Sequence, residues 1–64
     1  MYTLHVHYAG QSVATETRRA LSAAEALDLI PELLAAHPEC ECVAVYAGNT
    51  HLFSVDRKGN RIPG

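Results

Sequence analysis

Apolar and polar residues alternate without interruption at the start of the chain. One set comprises Tyr2, Leu4, Val6 and Tyr8, and the intervening positions hold Thr3, His5 and His7. A period of two residues is typical of a strand with one buried face. Gly10 lies in the turn that follows, and β-branched residues recur in the return segment. The pattern predicts a β-hairpin over residues 2–19, with the two histidines on its outer face.

The register of this hairpin depends on the length of its loop. A two-residue loop at 10–11 would pair Val6 with Thr15 on the inner face, and His5 with Glu16 on the outer face. That register keeps the inner face apolar. A register shift of one residue would move every side chain of the strand to the other face, so the apolar pattern favours the predicted register.

An amphipathic helix follows, predicted over residues 22–37. Ser22 and Glu25 have the spacing of a capping box, in which the serine hydroxyl accepts a hydrogen bond from the third helical N–H. Pro31 cannot donate its backbone N–H, so we expect a kink or break there, or two short helices. Pro38 is expected to end the helix. The predicted apolar face consists of Ala23, Ala26, Leu27, Ile30, Leu33 and Leu34.

A second hairpin is predicted over residues 42–57, with its turn at 48–49. A two-residue turn would pair Val45 with Leu52, and neither face of this hairpin is plainly polar. The tail, residues 58–64, either forms a short third hairpin or is loose, and Pro63 and Gly64 are expected to be frayed.

These elements predict one α+β domain with the order β-β-α-β-β, a four-stranded and mainly antiparallel sheet, and a helix on one face. The strands on either side of the helix should run in the same direction. One helix covers one face of the sheet, and the first hairpin is patterned accordingly. If Phe53, Val55, Ala44 and Cys42 meet the helix, then Val43, Val45 and Leu52 form an apolar surface on the other face. We expect that surface to be the interface of a homodimer.

Composition and charge narrow the choice of partners and compartment. Seven acidic residues against five basic ones, in 64 residues, disfavour a nucleic-acid binder, whose affinity depends on neutralising phosphates. No apolar run approaches the ~18 residues of a membrane span, and no signal peptide is evident. Cys40 and Cys42 are two residues apart, and on an extended chain their Cα atoms lie too far apart to form a disulfide easily, so a reduced, cytoplasmic protein is expected.

Candidate chemistry is sparse. His5, His7 and Glu16 are the candidate metal ligands, but four ligands are not evident, and we interpret the histidines as solvated and expect no cofactor. A thiol nucleophile at Cys40 or Cys42 could use His37 and either Glu39 or Glu41. A domain of this size offers little room for a substrate pocket, so the protein is not expected to be an enzyme.

The helix also presents an acidic stripe, made of Glu25, Asp28 and Glu32, which could dock a basic protein partner. The favoured interpretation is a small non-catalytic protein-interaction or regulatory module that acts as a homodimer. The alternative is a metal-binding or thiol-based protein that uses His5, His7, Glu16 or Cys40. No motif in the chain identifies a family.

Overall fold

A computed structural model describes residues 1–62 and shows a five-stranded sheet with a helix on one face. The α+β class is confirmed, with five strands in place of the predicted four, because the tail forms a short third hairpin with β4. The prediction for Pro63 and Gly64 lies outside the described residues. The elements are β1 (Tyr2–His7), β2 (Glu16–Ala20), α1 (Ala23–Ala36), β3 (Cys42–Ala47), β4 (Thr50–Asp56) and β5 (Arg61–Ile62).

The strands lie in the order β2-β1-β3-β4-β5, and each neighbouring pair is antiparallel. Because β2 and β3 are both antiparallel to β1, they run in the same direction, as predicted. Helix α1 makes the connection between them, and its backbone lies closest to β1, β2 and β3. On the helix-side face of β4, Val55 belongs to the buried core at 6% exposure, whereas Leu52 is 47% exposed.

Helix α1 begins at the predicted cap. The Ser22 hydroxyl accepts a hydrogen bond from the backbone N–H of Glu25 at 3.1 Å, and Ser22 itself has an extended backbone. The helix continues through Pro31 to Ala36, so the alternative of two short helices is wrong. At the other end, the N–H of His37 donates to the carbonyl oxygen of Leu33 at 2.9 Å.

The buried side of α1 differs from the predicted apolar face. Ala26, Leu29 and Leu33 are buried, whereas Leu27 is 57% exposed. The prediction therefore omitted Leu29 and wrongly included Leu27 and the exposed Ala23. The cause is the position of the helix: its backbone lies closest to β1, β2 and β3, and Leu27 is left beside an open groove between α1 and β4.

The first hairpin has a longer loop than predicted, and its register is shifted by one residue. Val6 lies opposite Glu16, and His5 lies opposite Thr17, so the predicted partners were wrong. In the loop, the N–H of Thr15 donates to the carbonyl oxygen of Val6 at 2.8 Å. The shift places Glu16 on the helix side of the sheet, away from His5 and His7.

The second hairpin follows the predicted register only near its turn. Tyr46 lies opposite His51 as expected, but a β-bulge between Val45 and Tyr46 shifts the rest of the ladder. Val45 consequently lies opposite Phe53 instead of Leu52.

This bulge and the pairing of β3 with β1 decide which side of β3 is buried. Val43 and Val45, at 0% and 2% exposure, pack under the helix beside Val6 and Leu4. Their predicted placement on the uncovered face is wrong, and Ala44 and Cys42 occupy that face instead because side chains alternate along a strand. The largest fully buried side chains are Leu4, Val6, Leu33, Cys40, Val43 and Val45.

Candidate functional site

An apolar groove lies between α1 and β4. The exposed parts of Leu27 and Leu52 stand beside it, and the side chains are 57% and 47% exposed. The volume is about 220 Å³. Leu52 was predicted on the face opposite the helix, which is wrong, since it lines this groove on the helix side. The other two predicted interface residues, Val43 and Val45, are buried. The lining residues are Tyr2, Ala23, Ala26, Leu27, Val45, Leu52, Phe53 and Arg61.

One cation borders the apolar groove. Strand β5 places Arg61 opposite Val55, on the helix side of the sheet. The Arg61 guanidinium carbon lies 4.3 Å from the centroid of the Phe53 ring, a distance at which cation–π attraction holds the two together. None of the lining residues is acidic, so the groove combines aliphatic and aromatic surface with a single positive charge.

A hydrogen-bonded clasp joins three elements at the opposite end of the helix. We use the term clasp for Tyr8, Glu16 and His37. Nε2 of His37 lies 2.7 Å from a carboxylate oxygen of Glu16, and Nδ1 lies 2.8 Å from the Tyr8 hydroxyl. An ionised carboxylate can only accept, so Nε2–H donates to Glu16 and, in the neutral ring, Nδ1 accepts from Tyr8. The clasp fixes the end of α1 to the first hairpin.

The clasp also sets the acidity of Glu16. The hydrogen bond from His37 is the main cause that holds the pKa of Glu16 below its ordinary value, and desolvation opposes this effect. The guanidinium of Arg18, 3.6 Å away, lowers the pKa further through its charge.

The predicted metal ligands are not brought together. His5 and His7 share one face of β1, with ring centroids 6.2 Å apart, but Glu16 lies on the other face and is bonded to His37. Cys40 is fully buried in the core. Within residues 1–62, no group of three or more histidine, cysteine, aspartate or glutamate side chains could hold a metal ion.

The predicted thiol site is not assembled either. Both ring nitrogens of His37 are engaged in the clasp, which leaves neither available to a thiol. Burial raises the pKa of the Cys40 and Cys42 thiols and so disfavours the nucleophilic thiolate.

The acidic stripe lies on the surface, as its spacing suggests. Glu25, Asp28 and Glu32 are all exposed on α1. At 100° per residue they lie on the flank of the helix away from Leu27 and the apolar groove. Whether the stripe binds a partner remains a prediction.

The face of the sheet opposite the helix carries an unexpected row of rings. The aromatic stripe consists of His7, His5, Tyr46 and His51, from β1, β3 and β4. Ring centroids are 5.0 Å apart between His5 and Tyr46, and 5.2 Å apart between Tyr46 and His51, both edge to face. The alternation in β1 placed the histidines on an outer face, but only the register of β1 against β3 brings Tyr46 beside them.

Comparison with known proteins gives no family. No protein-family model matches the chain, and neither curated proteins nor solved structures give a match. Among residues 1–62, no helix has the length and apolar character required to cross a membrane. Function must therefore be inferred from the surfaces themselves.

Proposed function

We propose that this protein is a small non-catalytic interaction module that self-associates as a homodimer through the apolar groove. The supporting observation is the pair of protruding leucines, Leu27 and Leu52, that stand beside a groove with no acidic lining residue. Contiguous exposed apolar surface of this kind is typical of a contact site.

The size of the groove favours a side chain over a small-molecule ligand. Its volume of about 220 Å³ is smaller than that of ligand pockets, which hold roughly 300–1,000 Å³. A twofold contact would place Leu27 of one copy against the groove of the other, and the reverse contact would follow by symmetry. A second copy would also add buried apolar surface to a domain whose own core is small.

Edge-to-edge pairing of β2 strands is a less suitable route to a dimer. Strand β2 lies at one edge of the sheet and carries Glu16, Arg18 and Arg19 among its five residues. Charged side chains on an edge strand oppose pairing with another chain. Because β2 carries several charges and the groove is mostly apolar, contact through the groove is favoured.

The homodimer would leave the acidic stripe accessible. Glu25, Asp28 and Glu32 lie on the other flank of α1, so a basic protein partner could bind there without displacing the second copy. We base a proposed regulatory role, in which a basic protein binds the homodimer, on this separation of the two surfaces.

Light scattering after size-exclusion chromatography tests the dimer. We expect the wild type to show twice the 6.9 kDa chain mass, and Leu52→Glu to shift it to the monomer mass because a charge would be buried in the contact. The matched control is Val13→Glu, which alters a side chain that is 73% exposed in the first loop and outside the groove.

Two outcomes would overturn the proposal. A wild-type mass of 6.9 kDa at every accessible concentration would exclude self-association. An equal loss of the dimer in Leu52→Glu and Val13→Glu would exclude the groove as its interface. Circular dichroism of each variant establishes that the monomer is still folded, so dissociation is distinguished from unfolding.

A further inference from the structure

The uncovered face of the sheet provides a second surface with a different chemistry. Besides the aromatic stripe, a shallow trough of about 530 Å³ lies along it, under the first loop. Thr17 belongs to β2, and its hydroxyl lies 3.4 Å from Nδ1 of His5. Ser12, Val13 and Ala14 form the wall of the trough, and its other lining residues are His5, His7, Thr17 and Tyr46.

Carboxylates are missing from the trough although the chain is acidic overall. None of its lining residues is an aspartate or glutamate. Glu16 is on the opposite face, and the acidic stripe is on the helix. Asp56 shares the uncovered face with Cys42 at one end, where its carboxylate accepts hydrogen bonds from the N–H groups of residues 58 and 60.

A guanidinium lies on the same face. Arg19 pairs with Thr3, and alternation along β1 and β2 places both on the side opposite the buried Leu4. The net charge of −2 therefore does not describe this face, where the aromatic stripe is bordered by a cation.

We propose that the aromatic stripe binds single-stranded nucleic acid, with bases stacked on its rings and the backbone contacted by Arg19. Rings presented by neighbouring strands on an open sheet are a common platform for unpaired bases, and stacking tolerates many base sequences. Ring spacings of 5.0 to 6.2 Å make the stripe a continuous row across β1, β3 and β4.

The surface suits a single strand better than a duplex. Duplex binding relies mainly on many cations against phosphates. Within the described strands, only the guanidinium of Arg19 belongs to this face. Stacking needs bases that are not already paired, which only a single strand supplies. This proposal is independent of the dimer, because the aromatic stripe and the apolar groove lie on opposite faces of the sheet.

Fluorescence anisotropy with a labelled oligouridylate tests the proposal at low salt. We expect the wild type to bind it, Tyr46→Ala to bind roughly tenfold more weakly, and a duplex of equal length to bind much less. Tyr2→Ala is the matched control, since this tyrosine lines the apolar groove on the other face. It should keep wild-type affinity, as should a folded Leu52→Glu monomer.

The salt dependence gives a second readout that does not depend on Tyr46. Arg19→Gln should weaken binding and reduce the slope of affinity against salt concentration, since one phosphate contact is lost. The proposal is overturned if no oligouridylate binding is measured, if duplex binds as well as single strand, or if Tyr2→Ala and Tyr46→Ala weaken binding equally. A protein partner displaced by Tyr46→Ala, without nucleic-acid binding, would also overturn it.

Discussion

At the scale of single residues, the clasp is the polar contact that joins the end of the helix to the first hairpin. His37 has a side chain only 16% exposed and uses both ring nitrogens, one toward Tyr8 and one toward Glu16. Loss of Tyr8 or Glu16 would leave a half-buried nitrogen of His37 without a hydrogen-bond partner. The free-energy cost of such an unpaired group is larger than the contribution of a hydrogen bond on the exposed surface. The clasp therefore acts on the stability of the helix end and first hairpin together.

Replacement of the Tyr8 hydroxyl tests this contact. Tyr8→Phe should lower the free energy of unfolding by about 1 kcal/mol, because one intramolecular hydrogen bond is lost. His37→Ala should lower it further, since both bonds are lost. Urea denaturation provides the measurement, with Tyr2→Phe as control. A Tyr8→Phe variant as stable as the Tyr2→Phe control would show that the bond contributes nothing.

The pH dependence of stability follows from the lowered pKa of Glu16. A carboxyl whose pKa is lower in the folded state stabilises the fold above its ordinary pKa, and this contribution disappears as pH falls through the folded value. The stability advantage of the wild type over Glu16→Gln should therefore shrink from about pH 5 to about pH 3. Urea midpoints at several pH values measure it, and an advantage that grew in acid would contradict the assignment.

At the scale of elements, the start of α1 depends on a single serine. Ser22→Ala removes the acceptor for the N–H of Glu25 and should cost about 1 kcal/mol of stability. Ser12→Ala is the matched control, since Ser12 is exposed in the first loop. Thermal or urea unfolding compares the two variants. If both variants were equally stable, water would be as good a hydrogen-bond acceptor for the N–H of Glu25 as the Ser22 hydroxyl is.

The position of the helix on the sheet also determines which apolar side chains are exposed. It packs over β1, β2 and β3, and β4 extends past it with Leu52 and Phe53 on the helix side. Helical spacing predicted an apolar face that included Leu27, but the position of α1 on the sheet left that side chain exposed. The same placement created the apolar groove beside β4.

At the scale of the whole molecule, stability and association should be linked. If two copies bind through the apolar groove, only the folded state forms the dimer, so the unfolding temperature should rise with protein concentration. Leu52→Glu should abolish this dependence, and Val13→Glu should retain it. Differential scanning calorimetry over a range of concentrations measures the effect. A wild-type unfolding temperature independent of concentration would argue against the homodimer.

Long-range pairing explains where the sequence-based predictions failed. Glu16 was expected opposite His5. The observed register differs by one residue, so Glu16 lies on the other face of the sheet and bonds to His37. No local signal distinguishes these registers, because Thr15 and Glu16 are both compatible with a strand. The clasp and the aromatic stripe join residues distant in sequence, so neither could be predicted from neighbouring residues.

Local rules were sufficient for the order of the elements, the α+β class, the Ser22 cap and the shared direction of β2 and β3. Each of these depends on residue spacing, turn chemistry or chain direction within a short segment. The tertiary structure alone decided that Val43 and Val45 are buried and that Leu27 and Leu52 are exposed. The reason is physical. A bulge or a register shift of one residue changes the local free energy little, yet it exchanges the two faces of a strand. Only the packing of the whole sheet against α1 selects which face is buried.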